Sequence, residues 1–159
     1  MNPGVEALLR LVAATARLGS RFASEAARAE ARGMRGTLNL EIADGGGGWH
    51  LEFRDGALRV RPGLVEDARA TVRVRERDLL ALAAGDATIA SCRLTGRVRV
   101  SGDGNLGMMF DAMIGSLQNA QKAPGLRGWL ARRFVGRALR KGGYVPRGAR
   151  GAGRERKQP

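Results

Sequence analysis

The sequence is short of the residues on which most catalytic chemistry depends. Of 159 residues, one is cysteine, Cys92, and one is histidine, His50. A lone cysteine excludes an internal disulfide. Neither residue has a partner in sequence for a metal site or a catalytic triad. The acidic residues are scattered through turns and helix caps, and no carboxylate pair stands out. No run approaches the roughly 18 apolar residues that a membrane span needs. The first residues, Met1-Asn2-Pro3-Gly4-Val5-Glu6, lack the basic opening of a secretory signal, and Arg10 and Arg17 interrupt the apolar positions that follow. These deficits lead to the expectation of a non-enzymatic binding protein without metal or cofactor, in a reducing compartment, the cytoplasm.

Negative charge is missing from one end only. The net charge is +13, with 25 arginines against 3 lysines, a bias that fits a GC-rich bacterial genome. Residues 1–119 carry 16 basic and 14 acidic side chains, whereas residues 120–159 carry 12 basic ones against Glu155 alone. The body is nearly neutral, so an anionic partner is expected at the C-terminal segment.

What is present is apolar periodicity. Residues 5–32 read as a helix, with Val5, Leu8, Leu9, Val12, Ala16, Phe22 and Ala26 along one side. Short alternating runs follow: residues 37–42, 49–53, 57–61 and 70–75, separated by the glycines 45–48, by Asp55-Gly56 and by Pro62-Gly63. Each run has one apolar and one polar side, which predicts a mainly antiparallel sheet with one face covered. Residues 76–84 read as a short helix stopped by Gly85, and residues 89–92 as irregular or a helical turn. A fifth strand is expected over 94–100, then a turn at 101–104. A helix should follow, capped by Asp103, with Leu106, Met109, Phe110, Met113 and Leu117 as its apolar stripe. Residues 118–125 read as a polar connection. The next helix, 126–140, is expected to set Leu126, Trp129, Leu130, Phe134 and Leu139 near one side and Arg133, Arg137, Arg140 and Lys141 on the other. Residues 146–159, rich in glycine and arginine, are expected to be disordered.

Two motifs mislead. Gly102-Asp103-Gly104-Asn105-Leu106-Gly107 matches G-x-G-x-x-G between a strand and a helix, but no second parallel strand follows and no carboxylate lies about 20 residues on. The four-glycine run lacks the Lys-Ser/Thr pair of a phosphate loop. Two features stay open between a structural and a functional reading. Met108, Met109 and Met113 suit an ordinary core or the wall of an adaptable apolar pocket. Residues 126–141 suit a packed helix with a solvated basic face, or a helix lying on an anionic membrane through Trp129, Arg133, Phe134, Arg137 and Arg140. The basic tail could attract nucleic acid non-specifically, but no aromatic residue follows Tyr144, so base stacking is unsupported and this partner is disfavoured.

Four stretches in order carry a family resemblance: Trp49 to Gly56, Asp67 to Val72, Arg77 to Gly85 and Gly96 to Asp103. Together they resemble the sterol carrier protein 2 (SCP2) family of lipid-binding domains over about residues 37–117. The resemblance implies an α+β fold, a five-stranded mainly antiparallel sheet with helices covering one face and enclosing an apolar cavity, flanked by N- and C-terminal helices. It implies binding and transfer of a fatty acyl chain, sterol or phospholipid without chemistry. The strand alternation then selects Leu40, Leu51, Phe53, Val72, Val74, Leu82, Val98, Val100, Met109, Phe110 and Met113 as lining residues. The expected organisation is a helical segment over 1–36, the lipid-binding core over 37–118, a basic helix over 119–145 and a tail over 146–159. Alternative roles are presentation of isoprenoid-quinone intermediates to enzymes, or a nucleic-acid adaptor acting through the tail. Peripheral attachment to the inner membrane face is compatible with the basic helix.

Overall fold

The computed structural model describes residues 3–22, 33, 35–45 and 47–147. The helix expected to continue to residue 32 and the tail from residue 148 lie outside the described residues. The chain opens with α1 (Pro3–Phe22), whose Val5, Leu8, Leu9 and Val12 recur at helical spacing and are all buried. A meander follows: β1 (Gly36–Ile42), β2 (Gly47–Arg54) and β3 (Ala57–Pro62), each antiparallel to the last. The turn between β2 and β3 has two consecutive positive φ angles, 52° at Asp55 and 77° at Gly56, which matches the twist of a two-residue hairpin.

The chain then crosses the sheet and returns as β4 (Ala70–Val74), parallel to β1 on its far side. The crossover has no helix. It runs as a strap over the face of the sheet opposite the core. Asn39 holds it at both ends of its amide, donating to Val65 O at 2.8 Å and accepting from Val65 N at 3.1 Å. The His50 ring lies with Nδ1 2.9 Å from Gly63 O. The polar positions on this face of β1 and β2 thus satisfy the strap's backbone, which explains why Asn39 is the one polar side chain buried in the described core.

Two short helices follow, α2 (Glu76–Ala84) and α3 (Ile89–Leu94), before β5 (Val98–Gly102) closes the edge. The sheet order is β3-β2-β1-β4-β5. The fold class read from sequence is therefore observed: α+β, mostly antiparallel, with one parallel pair. The fifth strand, however, begins four residues later than expected and ends two residues later. Thr88 caps α3 by accepting from Ser91 N, so the helix runs through Leu94, and Gly96 at φ 66° turns the chain out of it. Ser101 and Gly102, expected as a turn, pair with Thr71 and Ala70. A β-carbon at Gly102 would lie 2.3 Å from Arg69 O, so the close strand pairing requires glycine there.

The long helix α4 (Gly104–Lys122) begins at Asp103, which accepts from Asn105 N at 2.9 Å, and it runs on through the stretch expected to be a connection. Its polar residues mislead because they are used internally. Gln118 donates to Leu82 O at 2.7 Å and Gln121 to Ala83 O at 2.8 Å. Both carbonyls lie in the last turn of α2, where Gly85 N also donates to Leu82 O, so the two amides add side-chain caps to a neighbouring helix. The last helix, α5 (Gly125–Lys141), packs on α1 and α4. Tyr144 beyond it donates to Asp86 at 2.9 Å, tying the segment to the end of α2.

The core lies between one sheet face and the helices. Trp49, Leu40, Val72 and Val100 form one row across four strands, and Ile42, Val74 and Val98 another. Phe110, Ile114 and Leu117 of α4 close the layer from above, with Leu79, Leu80 and Leu82 of α2 beside them.

Candidate functional site

The inner layer is the first candidate, because it gathers every residue singled out as a lining group. Leu40, Leu51, Phe53, Val72, Val74, Leu82, Val98 and Phe110 are buried, and Val100, Met109 and Met113 are half-buried against the same cluster. Alternation gathers the strand residues, because residues two apart on a strand share a face, and helical spacing turns Leu82, Met109, Phe110 and Met113 toward them. The lining residues read from the sequence include none on α1 or α5, although Val5, Leu8, Leu9, Val135 and Leu139 belong to the same layer. The 3.6-residue spacing of α1 carried that signal; for α5 it was obscured by stronger hydrophobes facing outward.

The layer reaches the surface at the start of α4. A groove of about 700 Å³ opens there, with Leu106, Met109 and Ala112 along its apolar side and Arg35, Arg69, Asp103 and Asn105 on its polar side. Asp103 caps α4 and pairs with Arg69, and Arg69 also donates to Arg35 O at 3.0 Å. Arg35 in turn meets Asp55 at 2.7 Å. The groove therefore has an ion-paired polar rim beside an apolar wall that includes Met109 and the exposed Met108; Met113, one turn on from Met109, lies against the core, and methionine adapts readily to varied apolar shapes.

Elsewhere charge is organised without a reactive cluster. Among the described residues no group of three or more His, Cys, Asp or Glu could hold a metal ion. Cys92 is fully buried in the core. Burial pushes the Asp111 carboxyl up from its ordinary value, against the pull of Arg93 at 2.9 Å. Burial and the bond to Asp86 raise the Tyr144 phenol. On the outer face of β4 and β5, Arg73, Arg75, Arg97 and Arg99 line a depression of about 510 Å³, with Glu41 pairing Arg73 and Asp78 pairing Arg97.

The faces of α5 differ from those read in the sequence. Gly128, Val135, Ala138 and Leu139 are the buried ones. Leu126, Trp129, Leu130 and Phe134, expected to share the side of Leu139, are exposed, on the same outward side as Arg133, Arg137, Arg140 and Lys141. The reason is packing distance: Gly4 of α1 meets the backbone of Ala138 and Gly142, so the side of α5 that carries the small residues is the one turned inward. The membrane-facing candidates Trp129, Arg133, Phe134, Arg137 and Arg140 all lie on that outward face. No helix among the described residues is long and apolar enough to cross a membrane.

A model of the SCP-2 sterol transfer family matches residues 16–115. Among solved structures, palmitated SCP2L2 from Aedes aegypti is 23% identical, with a TM-score of 0.54 over 69% of this chain and 93% of that one. The sterol carrier protein domain 2 of Helicoverpa armigera is 16% identical, with a TM-score of 0.50 over 85% and 91%. Both likenesses are of fold. The inverting sec-alkylsulfatase Pisa1 from Pseudomonas sp. is 29% identical over 55% of this chain, with a TM-score of 0.45, and the match spans only 14% of that protein's length. No curated protein matches the chain.

Proposed function

The chain belongs to the SCP-2 sterol transfer family, and from that premise we propose that it is a non-catalytic carrier of a lipid with one long apolar chain and an anionic head. The apolar chain lies between α4 and the sheet, against Leu40, Val72, Phe110 and Met113. The head stays at the rim, where Arg35 and Arg69 supply guanidinium donors suited to a carboxylate or phosphate.

The observation that carries this reading is the groove at the start of α4. It joins an apolar wall of Leu106 and Met109 to an arginine rim, and it lies at the margin of the layer that holds all the lining residues. A single-chain amphiphile needs that combination, and a small polar metabolite does not. Met109 and Met113 are the side chains able to swing aside as the chain slides in. Family membership supports lipid binding in general; the amphiphile class rests on the groove.

The test is titration of delipidated protein with palmitate and with a neutral alkane-chain alcohol of equal length, followed by calorimetry. Saturable 1:1 binding of both, tighter for the acid and weakened by Arg69→Ala, is expected. Binding of neither, with the protein folded, would contradict the proposal. Binding of an isoprenoid quinone in preference to both would replace the acyl chain by a prenyl chain in the same layer.

A further inference from the structure

We infer that the outward face of α5 is a docking surface for an anionic lipid bilayer. This surface is separate from the layer that holds the lipid, and its test does not depend on that reading.

The argument begins with where apolar side chains are left in water. Four of the large hydrophobic residues exposed among those described are on this one helix: Leu126 at 70%, Trp129 at 47%, Leu130 at 37% and Phe134 at 52% exposure. Trp129 and Phe134 are also the exposed aromatic side chains of the described structure; Trp49, Phe53 and Phe110 are buried. Scattered surface hydrophobes need no explanation, but a contiguous set on one face of one element does.

Charge then selects the partner. The same face carries Arg133, Arg137, Arg140 and Lys141, and no acidic residue occurs in the sequence between Asp111 and Glu155. The two kinds of side chain are also ordered along the helix. Apolar groups occupy its first half, from Leu126 to Phe134, and basic groups its second half, from Arg133 to Lys141. They meet where the Arg133 guanidinium lies over the Trp129 ring, 5.2 Å from its centroid. Phe134 and the basic residues line a shallow depression of about 630 Å³.

A protein partner would be expected to bring carboxylates at matching points, and a nucleic acid would leave Leu126, Leu130 and Phe134 unburied. An anionic bilayer satisfies both halves at once. Aromatic and leucine side chains enter the headgroup boundary while arginines engage phosphates. The opposite face of α5, through Val135, Ala138 and Leu139, packs on the core, so the helix can present this surface without unfolding.

The experiment uses the full chain and vesicles of two compositions, pure phosphatidylcholine and phosphatidylcholine with 30% phosphatidylglycerol, in co-sedimentation at low and high salt. Binding to the anionic vesicles, weakened by salt, is expected. Each basic side chain near such a surface strengthens partitioning roughly five-fold, so Arg133→Gln, Arg137→Gln and Arg140→Gln together should weaken it about a hundredfold. Trp129→Ala with Phe134→Ala should weaken binding to the same vesicles with the arginines intact. Both variants should keep the parent's circular dichroism spectrum and unfold within a few degrees of its Tm, which shows that they fold. Equal binding of parent and arginine variant would overturn the inference. So would binding to duplex DNA that exceeds vesicle binding and shows the same arginine dependence, or a concentration-dependent dimer abolished by the Trp129/Phe134 pair.

Discussion

Gly4→Ala should destabilise the protein although it places a better helix former in a helix. Gly4 is where the first turn of α1 crosses the end of α5. A β-carbon there would stand 2.4 Å from Gly142 N, 2.5 Å from Gly142 Cα and 2.6 Å from Ala138 O, where ordinary contact begins at 3.4 Å. All three obstacles are backbone, so no side-chain rotation relieves them, and α1 must move away from α5 by about 1 Å. The helix that moves is anchored by Val5, Leu8, Leu9 and Val12, all buried in the common core. Overpacking of this kind costs about 1–3 kcal/mol, and alanine's propensity returns at most about 1 kcal/mol in a helix interior and less in a first turn. With about 0.5 kcal/mol returned, a net loss of about 0.5–2.5 kcal/mol follows, equivalent to a fall in Tm of roughly 1–10 °C for a chain of this size. Urea unfolding followed by circular dichroism measures it, with a lower midpoint and an unchanged slope expected. A variant as stable as the parent, or more so, would refute the crossing of α1 over α5 at these atoms.

Three further outcomes follow from the same geometry. Asn39→Ala removes both bonds to Val65 and should cost about 1–3 kcal/mol, with amide exchange at Val65 rising more than exchange in β4; uniform exchange would contradict the strap. Replacing Gln118 and Gln121 together by leucine removes the side-chain donors to Leu82 O, Ala83 O and Ala87 O, of which Leu82 O keeps Gly85 N, and a loss of about 1–2 kcal/mol is expected in thermal unfolding; an unchanged Tm would show that these side-chain bonds add nothing to stability. Met109→Trp adds bulk at the groove margin and should weaken palmitate uptake at least tenfold while Tm shifts by only a few degrees; full uptake would place the route elsewhere.

Fold class was legible where one physical rule acted alone. The alternation of Leu38, Leu40 and Ile42 could mean only a half-buried strand, and Gly85 ended α2 because its φ of 79° favours glycine. Legibility failed where tertiary contacts used polar residues as interior ones. Gln118 and Gln121 looked like a loop because their partners lie on α2, more than 30 positions away in sequence. The boundary of β5 slipped because Thr88 and Gly96 extend α3 at the expense of the strand. The strap over β1 was invisible for the same reason: Asn39 and His50 read as solvent-facing, and their partners come from the chain after β3. On α5 the error was one of scale. Trp129 and Phe134 outweighed Val135, Ala138 and Leu139 in apparent hydrophobicity, yet small residues decide which face lets helices approach. The lining residues of the inner layer needed only alternation and helical spacing, whereas the groove, made from Arg35, Arg69 and the start of α4, needed the folded chain.

The most direct measurement is native mass spectrometry of the protein purified without detergent, with organic extraction of whatever it carries. The account predicts one apolar chain-bearing ligand per chain, removable by delipidation and restored by palmitate. A mass equal to the bare polypeptide, with no uptake of fatty acid, phospholipid or isoprenoid quinone on titration, would contradict it.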